Sequence, residues 1–341
     1  MSSSTSSSEA IGAAIAAPGR ATRVALVLVL ALVGAEVLTR FKLVGMSKEF
    51  EQFRSYPHRA AELAHRSGLR VAFVGASIVH EDVDTALLAD HLRATTSHAV
   101  HADAFSADHS FINTWYFMIN HYFWQPGNRV DLVVIPFVGP SLYDKNEIEI
   151  GRLARFFTTV DDWPEVLRTD LSTTGERADF LLSNVWVSFA ARDRMQELAF
   201  TRLFPNYKAF AREQQNLFLA QQFANPKRTR KPRSLVALER LLRTAHEHGT
   251  RLCFAVFPTQ RADWNGQPYS EARQLIEASG TEYLDLRGGG NVDTSIFADL
   301  VHMNVGGRTL FTRLLADGLV PVLAPGPSEA DASPAAGGAG E

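Results

Sequence analysis

Short, continuous apolar runs recur along the chain and predict buried strands. The clearest are 69–74 (LRVAFV), 130–137 (VDLVVIPF) and 251–257, with weaker runs at 98–105 and 282–286. Segments with apolar residues on one face lie between or after these runs and predict helices at 84–93, 111–124, 235–249, 270–279 and 305–318. This alternation predicts an α/β fold, a three-layer sandwich with a mainly parallel sheet flanked by helices. In such a sheet the functional site lies beyond the carboxyl ends of the strands.

Residues 152–223 have no strand-like run of comparable strength and predict helices broken at Pro164 and Pro205. We interpret about 150–232 as a helical insertion. It ends in the basic loop 227–233, for which a solvated loop is favoured over contact with anionic lipid or an acidic glycan.

A different pattern occupies the N-terminal region. Residues 24–35 are apolar or glycine on every face, whereas residues 1–22 are rich in Ser and Ala and predict a disordered tail. The run to Leu38 would span roughly 22 Å as a helix, short of a hydrocarbon core of about 30 Å. We nevertheless favour a membrane or export segment at 23–45 over a buried soluble helix, and an uncleaved anchor over a signal peptide cleaved after Ala35. Basic residues flank both ends, so orientation stays open.

Composition narrows the function classes. The chain has 341 residues, 46% of them hydrophobic, and a formal net charge of -3. It therefore lacks the excess of positive charge that attracts a protein to nucleic acid, and we do not predict nucleic-acid binding. Its one cysteine, Cys253, excludes an intrachain disulfide.

The first strand runs into Gly75-Ala76-Ser77, where small residues allow a tight turn that presents a hydroxyl. Alone, Ser77 is well explained as a helix cap. Near the end of the chain, Asp299 and His302 are three residues apart and can project toward one point, although each alone also has an ordinary explanation as a turn or surface residue. A serine, a histidine base and a carboxylate that orients it are the elements of nucleophilic acyl transfer.

The two segments together resemble the SGNH (GDSL-like) hydrolases, and more closely the membrane-anchored bacterial branch associated with acylation of cell-envelope polysaccharide. The matching residues are 74–77 (VGAS) and 299–304 (DLVHMN), and 78–92 is similar to the segment after the nucleophile in that branch. The resemblance implies an SGNH-like domain over 46–320 and a Ser77–His302–Asp299 triad. We predict no cofactor, and the Pro-, Ala-, Gly- and Ser-rich segment 321–341 predicts a second disordered tail. The resemblance also implies an extracytoplasmic domain anchored by a single pass in the bacterial inner membrane, with a membrane acyltransferase as partner.

The chain differs from that family at two segments that supply hydrogen-bond donors to the oxyanion of the reaction intermediate. The family adds a glycine after the second strand and an asparagine after the third, whereas this chain has 104–108 (AFSAD) and 136–141 (PFVGPS) there. Loss of one donor costs on the order of a hundredfold to a thousandfold in rate. The remaining oxyanion or substrate candidates are Gly75, Ala107, Gly139, Ser141 and Asn304.

Other chemistry is less consistent with the pattern. Several potential metal ligands cluster in sequence, namely His98, His101, Asp103, Asp108 and His109. Strand alternation would place them on both faces of the sheet, and their spacing matches no known metal site, so we predict no metal.

The sequence therefore predicts an anchored serine esterase or O-acyltransferase acting on acyl, most simply acetyl, esters of an envelope polysaccharide. The alternatives are a catalytically lapsed envelope binding or assembly protein and a lipase or esterase for small esters.

Overall fold

The computed structural model describes residues 19–43, 45, 47–144, 148–207, 209–211, 213–214, 234–261, 269–288 and 293–324. Within these residues, five parallel strands form one sheet in the order β2-β1-β3-β4-β5. They are β1 (Leu69–Gly75), β2 (Val100–Ser106), β3 (Leu132–Phe137), β4 (Leu252–Val256) and β5 (Glu282–Asp285). The predicted α/β class with a parallel sheet flanked by helices is confirmed. Each predicted strand exists, with ends shifted by one or two residues.

The described α-helices before the insertion are α1 (Arg20–Leu38), α2 (Lys48–Ala64), α3 (Ile78–Glu81), α4 (Thr85–Thr96) and α5 (Ile112–Phe123). Those of the insertion are α6 (Ile150–Arg152), α7 (Trp163–Glu165), α8 (Thr174–Val185), α9 (Val187–Ala190) and α10 (Arg192–Leu203), with π-helical turns at Leu153–Phe157 and Val166–Asp170. The last are α11 (Val236–Glu247), α12 (Ser270–Ala278) and α13 (Val305–Leu323).

Alternate strand residues pack on opposite faces of the sheet. Val74, Ile135 and Phe254 belong to a core shared with α2, α5, α11 and the insertion. Phe73 and Val134 belong to a second core shared with α3, α4 and α13. The insertion and α13 therefore cover opposite faces of the sheet.

Helix α2 was not predicted, because it precedes the first clear apolar run, which begins at Leu69. Many residues of this helix are polar, but one side of it is buried and consists of Phe50, Phe53, Tyr56 and Ala60. The Ser47 hydroxyl caps it by accepting a hydrogen bond from the backbone N–H of Phe50. The packed domain thus begins near residue 47.

The aromatic helix α5 is a core element. Trp115 and Tyr122 are fully buried, and the Tyr122 hydroxyl donates to the Phe156 carbonyl. The aromatic residues of 111–124 could in principle line a sugar- or acyl-binding cleft or pack against the sheet, and the structure supports packing against the sheet.

The apolar N-terminal segment forms a longer helix than its apolar run suggested. The segment Arg20–Lys42 has 23 residues, which at 1.5 Å per residue gives about 35 Å. Only 6% of its most apolar window is buried, so it is long and apolar enough to cross a membrane, a property that a signal sequence would share. Its helix begins at Arg20, inside the predicted tail 1–22, and α13 continues to Leu323, inside the predicted tail 321–341. The rest of both tails and the basic loop 227–233 lie outside the described residues.

Candidate functional site

Ser77 stands directly after β1, beyond the carboxyl end of a central strand. Gly75 is required here by close packing, because a Cβ atom would come within 2.8 Å of the Val79 side chain and 3.1 Å of the Pro136 carbonyl oxygen. Ser77 itself precedes α3 with helical backbone angles, and its side chain makes no capping hydrogen bond. Its hydroxyl is therefore free of the cap role that the sequence also allowed.

His302 and Asp299 lie in a tight loop rather than on a helix. An antiparallel bridge between Phe297 and Met303 closes the loop, and the Ala298 N–H donates to the His302 carbonyl at 2.9 Å. The carboxylate of Asp299 accepts hydrogen bonds from the backbone N–H groups of Val301 and His302, both at 2.8 Å. These bonds fix the carboxylate within its own loop.

The structure brings Ser77, His302 and Asp299 together. The Ser77 Oγ atom lies 2.9 Å from His302 Nε2, and His302 Nδ1 lies 2.9 Å from Asp299 Oδ2. When Nδ1 carries the proton and donates it to the carboxylate, Nε2 is left to accept from the hydroxyl. This relay has the geometry needed to activate a serine nucleophile.

The charge state of Asp299 suits that role. Burial raises the pKa of its carboxyl, but hydrogen bonds from the His302 backbone and imidazole and from the Val301 backbone outweigh burial, so the pKa lies below its usual value. The carboxylate is consequently ionised at neutral pH and can hold the imidazole in one tautomer.

A second carboxyl, Asp82, lies beside this relay and was not singled out from the sequence. It is fully buried at the end of α3, and its Oδ1 atom accepts the Met303 N–H at 2.8 Å. Its Oδ2 atom is buried without a hydrogen-bond partner. Burial raises its pKa to about 7, and attraction by His302 opposes part of that rise. No property of an isolated Asp five residues after the serine signals this contact.

The candidate oxyanion donors have other partners. The Ala107 N–H donates to the Gly75 carbonyl at 2.9 Å, continuing the β1–β2 ladder, so it is not available to an oxyanion. The Ser141 hydroxyl donates to the Val138 carbonyl at 2.6 Å. Gly139 has a positive φ of 53°, which makes it the residue that turns the chain after β3.

Asn304 is the cap of α13 rather than a residue of the relay. Its side-chain oxygen accepts the Gly307 N–H at 3.0 Å, and its nitrogen donates to the Ser295 carbonyl at 2.7 Å. Asn304 therefore fixes the start of α13 just after His302 and does not supply the free amide donor expected from the sequence.

A polar network on the other side of Ser77 follows the end of β2. His80 Nδ1 lies 3.1 Å from the Ser106 hydroxyl, and the buried Tyr56 hydroxyl bonds both the N–H and the carbonyl of Ser106. Arg152 of the insertion donates to the Asp108 carbonyl at 2.9 Å. Helix α2 and the insertion thus hold the loop beside the serine.

The histidines and aspartates of the sequence cluster 98–109 point to separate partners. His98 Nδ1 bonds the Thr96 carbonyl, while Asp103 pairs with Arg59. Within the described part of the chain, no group of three or more His, Cys, Asp or Glu side chains is arranged to hold a metal ion.

No protein-family model matches the chain, and no curated protein matches it by sequence. Among solved structures, it is similar to LAE5, an α/β hydrolase enzyme from the metagenome of Lake Arreo, Spain, at 12% identity and a TM-score of 0.39, over 76% of this chain and 99% of that one. It is also similar to a catalytic mutant of Axe2, an acetylxylan esterase from Geobacillus stearothermophilus, at 9% identity and a TM-score of 0.36, over 72% and 92%. At these identities and TM-scores, the two neighbours give no information on the chemistry of this chain.

Proposed function

We propose that this chain is a serine esterase or O-acyltransferase of the SGNH type that acts on acyl esters, with acetyl the first choice, of a cell-envelope polysaccharide. One observation carries the proposal: a serine hydroxyl, an imidazole and an ionised carboxylate stand in sequence at 2.9 Å and 2.9 Å beyond the end of a central parallel strand. Each residue alone has an ordinary structural role, but the three-member relay is the arrangement that nucleophilic acyl transfer requires.

In the proposed reaction, the Ser77 oxygen attacks the carbonyl carbon of the ester while His302 Nε2 takes the hydroxyl proton. The tetrahedral intermediate collapses, the bond to the alcohol oxygen breaks, and the imidazolium returns its proton to that leaving oxygen. Water or a sugar hydroxyl then attacks the acyl carbon and gives its proton to His302. The bond between that carbon and the Ser77 oxygen breaks, and the imidazolium returns the proton to the serine, which releases the acid or the acylated sugar. Asp299 holds the imidazole and stabilises its charged form, without a covalent role.

We propose that the apolar helix α1 holds this domain at a membrane. We assign it as an uncleaved single-pass anchor in the bacterial inner membrane with the domain extracytoplasmic, where a membrane acyltransferase would supply the acyl group. Its length and its almost complete exposure support the anchor.

Covalent labelling by a fluorophosphonate tests the nucleophile. The wild-type chain should be labelled once, and Ser77→Ala should abolish labelling. Ser279→Ala is the matched control, because this exposed serine bonds only its own helix end and Thr281. Labelling that persists in Ser77→Ala would refute the assignment.

Analysis of the products distinguishes transfer of the acyl group to a sugar from its hydrolysis. With an activated acetyl ester as donor and an oligosaccharide as acceptor, a transferase should form acetylated sugar faster than free acetate. Free acetate alone would indicate an esterase. In both cases the products should depend on Ser77 and His302.

A non-catalytic binding or assembly protein of the envelope is the second candidate, because the Ala107 N–H and the Asn304 amide are engaged within the fold. Inertness of the folded wild-type chain toward fluorophosphonate and toward every ester would support this second function instead.

A further inference from the structure

The end of helix α1 is fixed to the folded domain. The two carboxylate oxygens of Glu36 accept hydrogen bonds from the backbone N–H groups of Val187 and Ser188, each at 2.9 Å. Thr39 is buried, and Arg40 donates to the Val185 carbonyl at 3.4 Å. We call this contact between α1 and the α8–α9 turn the junction. It means that the domain has a set position relative to the apolar helix.

Three large apolar side chains are exposed on α8, the helix that ends at the junction. Leu181, Leu182 and Val185 are 40%, 43% and 71% exposed, and their spacing places them together on α8. Val185 is itself a junction residue through its carbonyl. We call these three side chains the apolar face. A soluble surface helix would normally present polar side chains here.

Arginines gather at the same place. Burial, together with the nearby charges of Arg40 and Arg54, lowers the pKa of the Arg155 guanidinium, whereas Glu36 acts in the opposite direction. Arg54 and Arg155 also line a narrow cleft with Val187 of the junction. Glu36 pairs with Arg40 at 2.9 Å, but the three arginines outnumber this one carboxylate, so their net positive charge favours a further anionic partner.

We propose that the apolar face and the arginine cluster of Arg40, Arg54 and Arg155 form a membrane-contact surface that seats the domain on an anionic bilayer around the anchor. The occupant follows from continuity: the surface adjoins the end of a helix that is long and apolar enough to span lipid. Apolar side chains enter the acyl boundary and arginines meet phosphate headgroups, as in interfacial helices. The inference rests on the anchor of the proposed function but not on its catalytic chemistry.

Site-specific probes can measure the depth of this surface in the full-length protein. The only native cysteine, Cys253, is fully buried, and burial raises the pKa of its thiol to about 12, so an introduced exposed cysteine will be labelled selectively. Leu182→Cys places a nitroxide on the apolar face. Leu314→Cys is the matched control, since Leu314 is 41% exposed on α13, across the sheet. Val27→Cys reports on the anchor alone.

The three variants would be reconstituted in vesicles of phosphatidylcholine with phosphatidylglycerol, and accessibility to oxygen and to a water-soluble nickel relaxant compared. Labels at positions 27 and 182 should show a several-fold higher oxygen-to-nickel ratio than the label at 314. A label in lipid at 27 but in water at 182 would overturn the inference and leave the anchor standing. Water exposure at both positions would overturn both.

A separate experiment tests whether the arginine cluster contacts anionic headgroups. Arg54→Gln with Arg155→Gln should lower the oxygen-to-nickel ratio at position 182 in vesicles with phosphatidylglycerol, but not in phosphatidylcholine alone. The control pair is Arg93→Gln with Arg313→Gln, exposed residues on α4 and α13 at the opposite face. An equal response of both pairs would refute the headgroup role of the cluster.

Discussion

Replacing Asp82 by Asn tests whether ionisation of this buried carboxyl, which lies beside the relay, destabilises the folded protein. The substitution keeps the shape of the side chain, and its carbonyl oxygen can still accept the Met303 N–H. The amide nitrogen would occupy the position of Oδ2, which has no partner. A protonated carboxyl carries a similar unpartnered donor there, so wild type and variant should be nearly equally stable at low pH.

The magnitude follows from the pKa of Asp82. Burial raises it from 3.8 to about 7, and a shift of this size corresponds to at most about 4 kcal/mol at roughly 1.4 kcal/mol per unit. Because the raised pKa belongs to an acid, the folded state binds more protons than the unfolded state between pH 3.8 and about 7. The stability of the wild type therefore falls as pH rises through that window. Asp82→Asn removes this fall, so the variant should gain on the wild type progressively through that window and keep its full advantage above pH 7.

Thermal unfolding followed by tryptophan fluorescence from pH 4 to pH 8 provides the assay. The difference in melting temperature should grow from near zero to about 10 °C, the shift expected for about 4 kcal/mol in a domain of this size. Asp90→Asn is the control, because the Asp90 side chain is 70% exposed. Parallel pH profiles for wild type and Asp82→Asn would refute the reasoning.

Three further outcomes are expected. Ser77→Ala or His302→Ala should abolish ester turnover while leaving the melting temperature nearly unchanged. Asp299→Asn should retain part of the rate, because the Asp299 carboxylate orients the base without a covalent role; equal loss in all three variants would contradict that division of roles. The full-length chain should resist extraction from membranes by salt and alkaline carbonate, and deletion of residues 1–45 should end that resistance. Arg240→Met should lower the free energy of unfolding by about 3–5 kcal/mol, because the buried carboxylate of Asp170 loses its cationic partner and keeps only hydrogen bonds from neutral groups. Arg243→Met at an exposed position should change it by less than about 0.5 kcal/mol.

Much of the fold was determined by local sequence. Buried parallel strands are continuous apolar runs, so β1, β3 and β4 were evident without tertiary information. Helix α2 was missed because its buried residues are spread through a polar segment and its partners lie far along the chain. The aromatic helix α5 had two interpretations, and only the sheet beneath it decided that its rings pack in the core.

The candidate site, like the fold, was predicted in part from local sequence and decided in part by the tertiary structure. The residue types and order of Ser77, Asp299 and His302 were present in the sequence, since a small-residue turn after a strand and an Asp three residues before a His are local patterns. Their approach across a separation of 225 residues was decided by the sheet and by the bridge that closes the loop 297–303. The burial of Asp82, the engagement of Ala107 and the fixing of Glu36 against Val187 also needed the tertiary structure. Each depends on hydrogen bonds between distant segments, and a linear pattern holds no information about which backbone groups those segments will satisfy.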